Sequence, residues 1–256
     1  MWSVILAALP GLFLCAARVA GVALAAPWFS QNNIPTQVRV ALVLMIAASL
    51  WSAMGSGSWS GADPLVVMLV MPLELLVGLT LGFAVRLLLA VLEIAGEFMS
   101  FQMGYAAAAA FDPTVGGVSS PPTRLFYMVA LVVFLAIDGH HHLLLALAYS
   151  YDVVPLGAAG LHVINAEAFL ELVAGLFHSA LQLALPLMVV MLTINLVLGL
   201  MVRFLPQLNV FTIGFILTIG VGLWLLTELM PSLGLWIETL LTSANDWLPR
   251  LLRPPR

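Results

Sequence analysis

The sequence predicts an all-α membrane protein built of kinked helical hairpins. Three observations predict it. Of 256 residues, 63% are hydrophobic and only 8% are charged, whereas a soluble domain carries about a quarter charged residues. The apolar residues gather in six blocks, most of them as long as the ~20 residues that a bilayer crossing needs. None of the blocks shows the period-2 polarity of a strand.

The blocks span about residues 3–26, 38–54, 65–92, 124–149, 168–202 and 208–241. The second is short for a span. The fifth and sixth are too long for one straight crossing. The fifth holds Pro186; the sixth holds Gly214, Gly220, Gly222, Pro231 and Gly234. An internal proline removes a backbone hydrogen bond and crowds the preceding turn, so a kink or hairpin is expected in both. Pro, Asn, Gly and Ser mark the connectors at 27–37, 55–64, 111–123 and 150–167, and Arg203 to Gln207 interrupts the last apolar region. No connector is long enough for a soluble domain, so the whole chain, 1–256, reads as one membrane domain. Residues 1–26 end in a loosely cleavable Ala23-Leu24-Ala25-Ala26. They lack a positive n-region and contain Arg18, so they read as retained.

Net charge is -4, and every basic residue is an arginine. No basic stripe invites nucleic acid. Six spans would put the loops bearing Arg39, Arg124 and Arg203 on one side, and those bearing Asp63, Asp152 and Glu167 on the other. The tail with Arg250, Arg253 and Arg256 breaks that order. Either the span count is odd or some blocks are hairpins that do not cross.

Arg18, Glu74, Arg86, Glu93, Glu97, Asp138, Glu171 and Glu228 lie in or at the edges of the apolar runs. A charge at mid-bilayer costs at least ~2.5–3.5 kcal/mol, so such residues face protein or water. Glu93 and Glu97 are one turn apart, and Arg86 lies two turns before Glu93 near the same face. The structural reading is a buried Arg–Glu network against neighbouring helices; the functional one is an ion or proton path. His140-His141-His142 point in different directions on a helix, and the Asp138/His142 spacing is a weak metal signal. A helix end at an interface is the preferred reading there. Cys15 has no partner for an intrachain disulfide and reads as a small buried hydrophobe.

No catalytic set, P-loop or cofactor motif appears, so neither an enzyme nor a metal or cofactor protein is expected. Gly78 and Gly82 permit close helix contact, within the chain or with another subunit. The stretch from Gly96-Glu97 to Pro113 is the most unusual. Gln102-Met103-Gly104 runs through Ala106–Ala110 into Phe111-Asp112-Pro113 and Gly116-Gly117. It reads either as a surface connector or as a flexible element inside a conduit, since irregular chain at membrane depth is tolerated only within protein or along a watery cavity.

Arg18, Pro27, Ile34-Pro35 and Arg39 begin a pattern that runs nearly end to end. It continues through Glu74-x3-Gly78-x3-Gly82-Phe83, Gly96-Glu97, Gln102-Met103-Gly104, Asp112-Pro113, Gly139-His140, Ser150 and Pro155-Leu156-Gly157. Its most specific part is Asn195-x3-Gly199-x3-Arg203-x2-Pro206-Gln207-Leu208-Asn209-Val210-Phe211, followed by Gly214-Phe215. In this order and spacing the chain resembles the FliR/SctT family of type III secretion export-gate subunits. The resemblance implies a FliP-like part at about 1–165 fused to a FliQ-like part at about 166–256. It implies assembly with FliP and FliQ homologues, with an FlhB homologue at the entrance, into a channel that passes unfolded secreted proteins across the bacterial inner membrane. It places the protein, multi-pass and in contact with lipid, in the flagellar basal body, with the injectisome as the alternative. It also implies a pore plug at Phe111, Asp112, Pro113, Thr114, Val115, Gly116 and Gly117, with Phe111 as the obstructing side chain. Arg18, Glu74, Arg86, Glu93, Glu97 and Arg203 become candidate buried or assembly charges, and Pro206, Gln207, Asn209 and Phe211 the family motif. Asp138 and Pro121-Pro122 depart from the family pattern. An independent transporter is the competing class, but the two halves show no repeat with matched helix breaks.

Overall fold

Long apolar runs rich in Leu, Ala and Met favour helix, and in an apolar solvent a helix satisfies its own backbone. The computed structural model describes residues 2–26, 35–54, 64–105, 120–160, 165–204 and 209–252. Among these residues there are seven helices and no strand: α1 (Trp2–Ala25), α2 (Thr36–Met54), α3 (Pro64–Gln102), α4 (Pro121–Ala136), α5 (Gly139–Val153), α6 (Ala166–Phe204) and α7 (Val210–Leu251). Polar side chains start several of them. The Ser120 hydroxyl accepts the Thr123 amide ahead of α4, whose first positions are prolines. Asn165 accepts the Ala168 amide at α6 (3.1 Å), and Asn209 accepts the Thr212 amide at α7 (3.3 Å). Each satisfies a donor that the first turn leaves free.

Four described helices, α2, α3, α6 and α7, are long and apolar enough to cross a membrane, and α4 with α5 meet the same test as a pair. The protein is thus an all-α, multi-pass membrane protein. The helices refine the apolar blocks in four places. The third extends past its apolar limit near residue 92 and stays helical to Gln102, in keeping with the one-turn spacing of Glu93 and Glu97, which interrupt the hydropathy without opposing helix. The fourth is not continuous: Asp138 adopts a left-handed conformation (φ 56°) between α4 and α5. A short polar side chain tolerates that region better than most. Neither the fifth nor the sixth block folds into a hairpin of its own. Residues 166–204 stay helical through Pro186, and 210–251 form one helix. The two helices lie against each other, with Leu198 of α6 on Gly214 of α7.

The chain forms two compact units. The first comprises residues 1–87, 138–172 and 242–256. Here α1 runs antiparallel to α2, with the Trp51 ring over Gly11 and the Cys15 thiol near the Ala47 carbonyl (3.5 Å). It runs parallel to α3, with Gly78 against the Arg18 carbonyl and Gly82 against Val22. The Asn165 amide donates to the Leu251 carbonyl (3.0 Å), bringing the last turn of α7 to the start of α6. The second unit comprises residues 88–137 and 173–241. Phe126, Ala130 and Phe134 of α4 are buried in it, as are Ala180, Leu187 and Met191 of α6. Phe98 meets Phe177 edge-on.

The Gly78/Gly82 pair therefore packs within the chain. A Cβ at Gly78 would collide with the backbone carbonyl of Arg18, which cannot move without shifting α1. Gly78→Ala is expected to destabilise the fold by about 1–3 kcal/mol, the usual cost of overpacking. Thermal unfolding of the detergent-purified chain measures it, and an unchanged midpoint would refute the close contact.

Candidate functional site

The first unit contains a fully buried ion pair. Arg18 Nε donates to Glu74 Oε2 at 2.6 Å, and both side chains are 0% exposed. A buried pair is tolerated only when every remaining polar atom is satisfied, and here each finds a partner. Arg18 Nη1 donates to the Ser150 carbonyl (3.0 Å) and hydroxyl (3.1 Å). Nη2 donates to the Val154 carbonyl (3.0 Å). Glu74 Oε1 accepts the Gly157 amide (2.9 Å). The Tyr151 ring covers the guanidinium at 4.2 Å, and the Tyr151 hydroxyl lies 3.3 Å from the Cys15 sulfur. Planar Arg suits this role, because its fork reaches a carboxylate and two carbonyls at once. The segment 150–157 thus wraps the pair: α5 ends there, and Gly157 (φ 84°) turns its amide to the carboxylate. This site holds helices together, since both side chains are fully buried and bonded across them.

The other candidate charges are placed differently. Arg86, Glu93 and Glu97 are exposed on α3, and Arg203 is exposed at the end of α6. Among the described residues neither Arg86 nor Arg203 forms an ion pair, so Arg86 and Glu93 do not build the network that their spacing suggests. Glu97 has a role within the second unit. Its carboxylate accepts the Thr123 hydroxyl (2.7 Å), so Thr123 in turn accepts from Ser120 (2.6 Å). The acid sits at the start of α4, where a negative charge is favoured. Beside it, Gly96 packs on Thr123 and Phe126.

The end of α3 is also held within the second unit. Its last carbonyls lack helical partners. Asn195 Nδ2 donates to the Gln102 carbonyl at 3.5 Å, and the Thr218 hydroxyl donates to the Met103 carbonyl at 3.1 Å. Gly104 (φ 90°) then lies under the Phe215 ring. The expected plug, Phe111, Asp112, Pro113, Thr114, Val115, Gly116 and Gly117, lies outside the described residues, as do Pro206 and Gln207; Asn209 caps α7 as described above, and Phe211 belongs to that helix. The His140–Asp138 pair is exposed with 3.9 Å between its atoms.

Residues 9–244 match the family described as bacterial export proteins, family 1. The chain belongs to that family. It is 34% identical to the flagellar biosynthetic protein FliR of Escherichia coli K12 over 238 residues, 92% of this chain and 90% of the relative. It is 28% identical to FliR of Bacillus subtilis 168 over 247 residues, 95% of each chain. It is also 29% identical to the surface presentation of antigens protein SpaR of Shigella sonnei over 211 residues, 82% of this chain and 80% of the relative. The FliR/SctT resemblance therefore stands, and with it the assignment as a type III secretion export-gate subunit, a structural component of an export apparatus.

Reading by residue type singled out Arg18 and Glu74 but not that they pair. Ser150 and Pro155-Leu156-Gly157 stood in the family pattern without a role; their role is to enclose that pair. Tyr151 and Thr218 carried no signal at all, since a lone Tyr or Thr in an apolar run is commonplace.

Removing one member of the pair strands the other in the core. Arg18→Met or Glu74→Leu alone is expected to cost about 3–5 kcal/mol, and the double variant less than the sum. Unfolding monitored by tryptophan fluorescence in detergent tests this; additive losses would show that the two side chains do not depend on each other.

Proposed function

We propose that this chain is a core subunit of a flagellar export gate. It assembles with FliP and FliQ homologues, with an FlhB homologue at the entrance, into the channel that passes unfolded flagellar substrates across the bacterial inner membrane at the basal body. The observation that carries this reading is the match of residues 9–244 to the export family. The flagellar system is favoured by the E. coli flagellar relative at 34% identity over 92% of the chain, against SpaR at 29% over 82%. That second likeness supports an injectisome gate as the alternative.

The placement of charge supports a role inside an assembly. Arg86, Glu93 and Arg203 are exposed on helices of high hydropathy. At mid-bilayer and facing lipid, such a charge costs ~2.5–3.5 kcal/mol, a cost that contact with another subunit or a wet conduit removes. In this reading the FliP-like part covers about 1–165 and the FliQ-like part about 166–256. Pro206, Gln207, Asn209 and Phe211 carry the family motif, within which Asn209 caps α7. Phe111 to Gly117 form the plug, with Phe111 obstructing the pore. The described ends on either side, Gln102–Gly104 and Ser120–Thr123, are both tied down by side-chain hydrogen bonds, which suits a segment anchored at two points.

Two experiments test the reading. Tagged chain produced with its neighbouring genes is expected to co-purify with FliP and FliQ homologues; recovery of a stable lone subunit that transports a small solute in liposomes would favour the transporter class instead. Deleting Val115 to Ser119 is expected to leave assembly intact while ions leak through the gate. An unchanged membrane barrier in that variant would remove the plug assignment.

A further inference from the structure

The end of α3 is attached to α7 by a side chain that has two places to donate. The Thr218 hydroxyl carries one proton. It lies 3.1 Å from the Met103 carbonyl of α3 and 3.3 Å from the Phe215 carbonyl one turn back on its own helix. Thr218 is buried, so a hydroxyl that lost its partner would be costly. Here the loss need not occur, because a small rotation returns the proton to Phe215, a bond that helical Thr makes readily. Releasing α3 therefore leaves no buried donor unsatisfied on α7.

The remaining attachments have the same character. Asn195, an exposed residue, reaches the Gln102 carbonyl at 3.5 Å, the outer limit of a hydrogen bond. The Met103 side chain, itself fully buried, fills the notch left by Gly222, where a Cβ would stand 2.6 Å from Met103 Cγ and Cε. Methionine is flexible enough to leave such a notch and re-enter it. Gly104, in its left-handed conformation, lies beside the Phe215 ring, which an added Cβ would meet at 3.7 Å, an ordinary van der Waals distance. All of these residues belong to the second unit. No backbone-to-backbone hydrogen bond joins the end of α3 to α6 or α7 among the described residues.

We propose that Thr218, with the Met103–Gly222 notch, is a latch that holds the end of α3 and can release it without unfolding either helix. Thr218 is a positioning residue: it sets where the chain beyond α3 begins, and so the resting barrier of the gate. The functional half of this inference rests on the reading of the chain as a conduit subunit.

The test uses Thr218→Val, which keeps the shape and removes the donor, Thr218→Ser, which restores it, and Gly222→Ala, which displaces Met103. In the purified chain, amide hydrogen exchange at Met103–Tyr105 is expected to quicken about two- to tenfold in the Val and Ala variants, the factor that one neutral hydrogen bond contributes. The Ser variant is expected to match the parent. In vesicles holding the assembled gate, potassium leak is expected to rise by a similar factor at unchanged complex yield, with Ser again restoring the barrier. Exchange that does not change would overturn the latch itself. Faster exchange without leak, while deletion of Val115 to Ser119 does leak, would overturn its control of the barrier and leave the conduit standing. If neither variant nor deletion leaks, the latch's function and the conduit reading fall together.

Discussion

The buried contact between Arg18 and Glu74 constrains the first unit more than any other interaction. Neither charge has access to water, so α1 and α3 must approach until nitrogen and oxygen meet at 2.6 Å. That approach is possible because Gly78 and Gly82 leave the helix surface bare where α1 crosses it. The pair then dictates the course of residues 150–157, whose carbonyls and amide complete its hydrogen bonds. Hydrocarbon-like surroundings give helices little reason to prefer one neighbour over another. A satisfied ion pair supplies that preference, because any other register leaves a charge stranded.

The second unit solves a different problem with weaker means. Its helices meet through Phe, Leu and Met, and the directional contacts described above are single hydrogen bonds: a hydroxyl on a carbonyl, an amide on a carbonyl, and a Ser–Thr–Glu relay at the start of α4. Each contributes about 0.5–1.5 kcal/mol, or somewhat more where the carboxylate accepts. One unit thus contains a contact that is costly to break, and the other contains hydrogen bonds that are each individually modest. For a family whose members export protein, such a division places rigidity and adaptability in separate parts of one chain.

Helix existence was legible because long apolar runs admit little else. Helix ends were less so. Hydropathy alone stops α3 at Glu93, whereas helix propensity carries it to Gln102; charge and propensity are independent properties that a hydropathy scan merges. The Asp138 break was flagged only as a helix end at a departure from the family pattern, and a proline at 186 promised a break that a long helix absorbs by losing one hydrogen bond. Arg18 and Glu74 were legible as expensive residues, but their pairing spans 56 positions, a distance at which spacing rules have no reach. For the same reason Arg86 and Glu93, neighbours by spacing, proved to be exposed and not joined as a pair.

The lengths of α3, α6 and α7 carry a consequence for depth. Helices of 39 and 42 residues extend about 60 Å at 1.5 Å per residue, twice the ~30 Å of hydrocarbon. Sliding so long a helix along the bilayer normal still leaves an apolar stretch in the hydrocarbon, so hydrophobic matching alone sets its height only loosely. Lipid thus tells this protein that it is in a membrane but not how high to sit. That coordinate falls instead to the charges exposed on its helices and to whatever surfaces meet them.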